Sequence, residues 1–215
     1  MYKYFKRFVD FFGSIGLIII AFIPMLIIAF LIWKEDKESP FFIQTRMGKD
    51  EKPFKMYKFR SMKTNRVELD GKLTHEQMVT KIGKFIRKTS LDELPQLFNV
   101  VKGEMSLIGP RPWILSYYDW MTPVQKRRVK VRPGITGFAQ VKGRNGISVE
   151  KKIEYDLEYV NHFGLKKDLI VIRETIKEVI KETNAEITEK GIKEEIDELK
   201  SNPRNRRRNK IKVKN

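Results

Sequence analysis

Asp92 and Glu93 stand side by side in Ser90-Leu-Asp92-Glu93-Leu-Pro-Gln-Leu-Phe-Asn99, and the chain holds a distinctive set of cations to face them. Lys58 and Arg60 flank Phe59 on a predicted strand, and Arg87 precedes Asp92 by five residues. Arg111 is fixed between Pro110 and Pro112, Arg132 is followed by Pro133-Gly134, and Arg144 follows Gly143. A solvated arginine needs no stiff backbone around it, whereas bidentate recognition of phosphate does benefit from one. A carboxylate at a helix start would have its pKa lowered and stay ionised, as a nucleophile or a cation ligand. The same residues also admit a plain structural reading. Ser90-x-x-Glu93 has the spacing of a capping box, and acids are favoured in a first helical turn.

Composition narrows the chemistry. The 215 residues contain no cysteine and two histidines, His75 and His162. That excludes disulfides, thiolate metal sites and cysteine nucleophiles, and leaves a hard, oxygen-bound cation as the metal to expect. The net charge of +17 is unevenly spread. Lys200–Asn215 carries +8, Glu182–Leu199 carries −5, and residues 1–181 carry +14. The main body is therefore basic without its tail, as a site for anionic substrates would be.

The body must be placed at a membrane. Phe11–Trp33 is 23 residues without a charge. As a helix it would be about 34 Å long, enough for a hydrocarbon core of ~30 Å. It is too long for a signal peptide, and it is the one segment apolar enough to span, so a polytopic protein is excluded. Pro24 lies in its middle and should bend it. Lys3, Lys6 and Arg7 precede it and Lys34 and Lys37 follow it. The positive-inside rule places both flanks in the cytoplasm. A single spanning anchor and a re-entrant helix broken at Pro24 both remain open on these residues. Trp113–Met121 packs four aromatics into nine residues. Leu165, Leu169, Ile172, Ile176, Val179 and Ile180 share one helical face. Each reads either as a core helix or as an amphipathic helix in the headgroup layer.

The remaining elements give a helix-rich α+β fold. Phe41–Arg46 and Phe54–Phe59 read as a hairpin joined through Gly48-Lys-Asp50, and Ser61–Leu73 as a loop. Helices are predicted over His75–Lys88, Leu91–Val101, Trp113–Val129, Val149–His162 and Lys166–Glu182. Met105–Pro112 reads as a turn-rich loop, and Phe138–Val141 as a short strand. Glu186–Lys200 reads as a solvated helix, with disorder beyond Ser201. The domain division is residues 1–38 for the membrane helix, 39–182 for the catalytic part and 183–215 for the charged tail.

Taken together, several motifs are specific. They are Lys6-Arg7-x-x-Asp10, Gln44-x-Arg46-x-Gly48, Tyr57-Lys-Phe-Arg-Ser-Met62, Gly83…Arg87…Ser90–Asn99, Gly103-Glu-Met-Ser106, Gly109-Pro-Arg-Pro112 and Arg132-Pro-Gly-Ile-Thr-Gly137…Gln140-Val-x-Gly-Arg144. From about Tyr4 to Val179 the chain resembles the small members of the bacterial sugar transferase family, the monotopic phosphoglycosyl transferases. The resemblance implies transfer of a sugar 1-phosphate from a UDP-sugar to polyprenol (undecaprenyl) phosphate, with release of UMP. Asp92 would be the nucleophile, forming an aspartyl-phosphosugar, and Glu93 its catalytic partner. Mg²⁺ would sit on Asp92, with Lys58, Arg60, Arg87, Arg111, Pro112, Arg132 and Arg144 around the substrates. It also implies a re-entrant helix at the bacterial inner membrane, with the catalytic part on the cytoplasmic face. The family's helix break carries a Ser-Pro pair, and this chain has Ile23-Pro24. Anionic lipid and downstream glycosyltransferases are the partners implied, and an N-acetylated amino sugar is the expected cargo.

Charge alone supports another class of function. A +17 chain with Arg206-Arg-Arg208 could be a membrane-tethered nucleic-acid-binding protein. A non-catalytic membrane scaffold would also use every motif structurally. The paired carboxylates among Pro/Gly-braced arginines favour the transferase, and no nucleic acid is expected.

Overall fold

The computed structural model describes residues 1–63, 78–143 and 147–180. Residues 75–77 of the predicted His75–Lys88 helix, most of the Ser61–Leu73 loop, Arg144 and everything after Ile180 lie outside them. The fold is α+β and rich in helix.

The first helix, α1, runs Tyr2–Asp36 for 35 residues, with Pro24 inside it. Lys37 ends it in the left-handed conformation (φ 60°), its N–H returning to the Trp33 carbonyl. Among the described residues α1 is the one helix long and apolar enough to cross a membrane. Its burial follows the helical period. Lys6, Asp10, Ser14, Met25, Ile28 and Ile32 are buried, with Ile18, Ala21 and Ala29 packed beside them. These positions form one stripe along the whole length, pressed on the body. The rest of the surface exposes Phe8, Phe12, Ile19, Ile23, Ile27 and Phe30. Both ends of the stripe are bolted down. Arg7 donates to the Val100 and Val101 carbonyls, and Asp10 accepts from the Leu107 N–H. At the far end Glu35 accepts from the N–H groups of Lys81 and Ile82.

The expected hairpin forms with β1 at Phe41–Met47 and β2 at Pro53–Phe59, antiparallel, with Lys58 opposite Phe42. Helix α2 (Lys81–Lys88) is capped by the Thr80 hydroxyl, which accepts from Gly83 N–H. The predicted Leu91–Val101 helix divides in two. Leu91–Glu93 is a 3-10 turn, and α3 begins only at Gln96 and ends at Lys102. Pro95 stands at its N-cap, where the missing N–H costs nothing.

Three sequence expectations fail here. Phe138–Val141 is not a strand, because α5 (Phe138–Gly143) is helical and buries Phe138 and Ala139. The strands are instead β3 (Ser106–Ile108) and β4 (Gly134–Thr136), paired in parallel within stretches that read as loops. They approach because of glycine. A Cβ on Gly134 would lie 2.1 Å from Gly109 N, and one on Gly109 would lie 2.4 Å from the Arg132 carbonyl oxygen. Backbone on backbone at that distance admits no side chain. The long helix predicted up to Val129 is also absent. A four-residue helix, α4 (Leu115–Tyr118), and a 3-10 segment, Gln125–Lys130, replace it. Two helices complete the described chain, α6 (Val149–Asn161) and α7 (Leu165–Ile180), close to their predicted bounds. Leu165, Leu169, Ile172 and Ile176 of α7 are exposed, and the side chains of Val179 and Ile180 lie outside the description.

Candidate active site

Asp92 and Glu93 meet Lys58 because three elements are stapled together. Phe54 and Met56 point into the core from β2, so Lys58, two residues on, starts from the same face. Asn99 of α3 is fully buried and fixes that strand. Its amide donates to the Lys55 carbonyl at 2.7 Å, and its oxygen accepts from Tyr57 N–H at 3.0 Å. Between α2 and the 3-10 turn, Ser90 takes a left-handed φ of 57°. That conformation is costly for a residue with a Cβ, and it turns the chain so that Asp92 and Glu93 face β2.

The capping-box reading of Ser90 and Glu93 is overturned. No side-chain cap bond forms at Ser90. The Glu93 carboxylate instead accepts from Lys58 Nζ at 2.8 Å and from Arg111 Nη2 at 2.9 Å, both on Oε1. Burial pushes the Glu93 carboxyl up, but Arg111 and Lys58 outweigh it and hold its pKa at about 2. Asp92 is placed differently. Its nearest cation among the described residues is Lys58 Nζ, at 3.6 Å. Burial pushes its carboxyl above the ordinary aspartate value, with Lys58 pulling against the rise and the Glu93 charge adding to it. The expectation of a lowered pKa therefore fails, because Asp92 is half-buried in a 3-10 turn and not at the head of an α-helix. The result is one carboxylate locked as an anion beside a second whose charge is only partly compensated.

The other predicted residues fall into three groups. Arg87 lies near enough to Asp92 to lower its pKa, and Arg111 joins the pair directly. Pro112 is buried behind Arg111. Arg60 is buried and donates to the Ser39 carbonyl, tying β2 to the segment after α1. Arg132 donates to the Gly103 carbonyl, at the opposite end of α3 from Asp92 and Glu93, where it and Arg7 satisfy the last carbonyls of that helix. Arg144 is outside the described residues, and Pro24 lies within α1.

Arg128 and Asp156 were not singled out from the sequence. Arg128 is fully buried, donates Nε to Asp156 at 3.0 Å, stacks over Trp113 at 4.8 Å and donates Nη2 to the Arg111 carbonyl at 2.7 Å. It thus holds the backbone of the arginine that holds Glu93. Nothing in the Gln125-Lys-Arg-Arg128 charge run marks one arginine as buried. The signal that existed was Asp156, at an apolar position of the α6 stripe.

No group of three or more acidic or histidine side chains gathers anywhere among the described residues. A divalent cation here would rest on the Asp92 carboxylate, since Glu93 is taken up by its two cations. One or two carboxylates completed by substrate phosphates is how Mg²⁺ is ordinarily held, so the donor set fits that ion. Among the described residues, Lys58, Arg87 and Arg111 face two carboxylates, a positive surplus suited to phosphate.

The model of the bacterial sugar transferase family matches residues 1–182. The "Uncharacterized sugar transferase EpsL" of Bacillus subtilis is 42% identical over 81% of this chain and 87% of its own length. The "UDP-glucose:undecaprenyl-phosphate glucose-1-phosphate transferase" of Klebsiella pneumoniae is 43% identical over 80% of this chain and 39% of its own. The "UDP-N-acetylgalactosamine-undecaprenyl-phosphate N-acetylgalactosaminephosphotransferase" of Aeromonas hydrophila is 36% identical over 84% of this chain and 44% of its own. The chain thus spans most of the Bacillus relative and roughly two-fifths of the other two.

Arg128→Met should lower unfolding stability in urea by about 3–5 kcal/mol, because Asp156 is left buried and unpaired. Adding Asp156→Leu should restore part of the loss. A single variant within about 1 kcal/mol of wild type would show that this pair does not anchor the Arg111 segment.

Proposed function

The chain belongs to the bacterial sugar transferase family, and on that footing we propose that it is a phosphoglycosyl transferase that moves a sugar 1-phosphate from a UDP-sugar to undecaprenyl phosphate. The observation that carries this reading is the unequal pair, Glu93 clamped by Lys58 and Arg111 beside an Asp92 with no closer cation, among the described residues, than Lys58 at 3.6 Å. A nucleophile must keep its oxygen available, and its neighbours must hold positive charge in place without consuming it.

In the first half-reaction an Asp92 oxygen attacks the β-phosphorus of the UDP-sugar. A new P–O bond forms, the bond to the α-phosphate oxygen breaks, and UMP leaves with the electron pair. The sugar phosphoryl group is then esterified to Asp92. In the second half-reaction an oxygen of the lipid phosphate attacks the same phosphorus, and Asp92 departs as its carboxylate. Lys58 and Arg111 are positioned by Glu93 to face the phosphoryl oxygens, and Arg87 adds to the field. Asp92 is the residue that would hold Mg²⁺, and the ion would supply positive charge to offset the phosphates. Splitting the transfer lets UMP vacate before a second anion enters.

The catalytic part belongs at a membrane surface in this reading. Support comes from the α1 stripe, tied to one body at Arg7, Asp10 and Glu35 while its other faces expose apolar side chains. A helix crossing the bilayer alone would carry about 20 residues clear of its domain. α1 has buried or packed residues at every turn from Lys6 to Ile32. An α1 that enters and returns on one side, bent at Pro24, keeps those contacts and puts Lys3, Lys6, Arg7, Lys34 and Lys37 on the cytoplasmic face. Exposed Leu165, Leu169 and Ile176 of α7 would lie in the headgroup layer, with nearby lysines toward anionic lipid. The nucleic-acid-binding and scaffold readings find no support among the relatives.

Purified protein with Mg²⁺, undecaprenyl phosphate and a panel of UDP-glucose, UDP-galactose and UDP-N-acetylgalactosamine should release UMP from at least one donor. Asp92→Asn should reduce that release by about a thousandfold or more, with the circular-dichroism spectrum unchanged. A fully active Asp92→Asn variant would remove Asp92 from the chemistry.

The pH profile tests the electrostatics. Attack requires ionised Asp92, whose carboxyl burial has raised. UMP formation should therefore rise with pH through a value above that of an ordinary aspartate. Lys58→Gln removes a cation that lowers this pKa and should move the acid limb to still higher pH. An acid limb unmoved by Lys58→Gln would contradict the assignment.

A further inference from the structure

A cleft of about 490 Å³ opens between α1, α3 and α7, and the transfer chemistry above does not account for it. Its walls are apolar, with Leu17 and Ile20 from α1, Leu94 and Leu97 around the start of α3, and Leu169 and Ile172 from α7. Leu17, Ile20, Leu169 and Ile172 are all exposed, so the cleft is open along the same faces that α1 and α7 offer to lipid. Its volume lies in the range of about 300–1,000 Å³ that encloses a small ligand.

The two ends differ in charge. One reaches Ser90 and Glu93, the residues on either side of Leu91 and Asp92. There Lys58 and Arg111 converge on Glu93, with Arg87 nearby. The other reaches Lys6, Asp10 and Asp168. Lys6 is spent on Asp168 at 2.8 Å and lies 3.7 Å from Asp10. Arg7 also faces Asp10, so two cations balance two carboxylates at that end. An anionic headgroup is therefore favoured at the Glu93 end, where Lys58, Arg87 and Arg111 face two carboxylates, over the balanced Asp168 end, while an apolar chain is accommodated between them.

We propose that this cleft binds the isoprenoid chain of the lipid acceptor and delivers its phosphate to Asp92 from the Ser90–Glu93 end. The inference rests on the transferase reading and adds a place and a direction for the acceptor. The cleft's lateral opening lets a chain slide in from the bilayer without leaving it. The positive end holds the phosphate beside the carboxylate that carries the sugar phosphoryl group. A diacyl phospholipid is the competing occupant, since it also joins an anion to apolar chains.

Leu169→Trp and Ile172→Trp, made separately, fill the cleft from positions whose side chains are already exposed, so the fold should tolerate them. Both are assayed in nanodiscs of phosphatidylethanolamine and phosphatidylglycerol, with the UDP-sugar that supports UMP release by the wild type. The burst of UMP without acceptor should be unchanged, which reports Asp92 and the donor site intact. The KM for undecaprenyl phosphate should rise by about tenfold or more, as expected when binding shared by ground and transition states is removed. Citronellyl phosphate, with a far shorter chain, should show a smaller increase. A wild-type KM for undecaprenyl phosphate in both variants overturns the proposal. So does a KM change matched by an equal loss of liposome binding, which would assign the cleft to bulk phospholipid. Failure of the wild type to release UMP from any donor would instead refute the transferase reading itself.

Discussion

One carboxylate oxygen organises the site. Glu93 Oε1 accepts from both Lys58 and Arg111, at 2.8 and 2.9 Å. Those bonds join a β-hairpin, a 3-10 turn and a proline-braced loop that are far apart in the chain. They also explain why two adjacent acids behave oppositely. Glu93 absorbs the two closest cations and remains ionised to about pH 2. Asp92 is left with burial and a neighbouring negative charge, both of which raise its pKa. Without the clamp, Lys58 and Arg111 would be free to neutralise Asp92, and the site would lose its partly compensated carboxylate and its ordered positive field together.

The clamp is only as good as the scaffold behind it. Arg111 is set by Pro110 and Pro112, by the Gly109–Gly134 backbone contact, and by Arg128 gripping its carbonyl from a buried pair with Asp156. Lys58 is set by Asn99, which bonds β2 on both sides of Met56. α1 belongs to the same scaffold. Arg7, Asp10 and Glu35 bind the helix to the elements that hold the site, so any shift of α1 is passed to the surroundings of Asp92.

Much of this was legible in the residues, unevenly. The hairpin appeared within one residue of its predicted bounds because short runs rich in aromatic and β-branched residues and a Gly48 turn are local signals. α6 and α7 followed from their 3.6-residue periodicity. The β3–β4 pair was missed because three-residue strands joined across 25 residues have no local pattern. Only the glycines betray the approach, and in sequence they read as turns. Phe138–Val141 misled through its apolar run, which suits a short strand and a buried helical turn equally. At the site, Asp92, Glu93, Lys58, Arg87 and Arg111 were recognisable by residue type and rigid surroundings, and the structure brings them together. Arg132 shares those surroundings yet serves the carbonyls of α3, because proline and glycine beside an arginine show that it is held but not toward what. The pKa of Asp92 could not be read from Ser90-x-x-Glu93, since its sign depends on burial and on whom Glu93 chooses as partner.

The central claim is that the Asp92 carboxylate itself carries the phosphosugar between donor and lipid. Incubating the protein with a UDP-sugar labelled at its β-phosphate, omitting the lipid acceptor, quenching in acid and sequencing the labelled peptide by mass spectrometry addresses it most directly. The account predicts one equivalent of label on Asp92, discharged on addition of undecaprenyl phosphate. Label on Glu93 or any other residue, or lipid product formed at full rate with no labelled protein at any time, would contradict it.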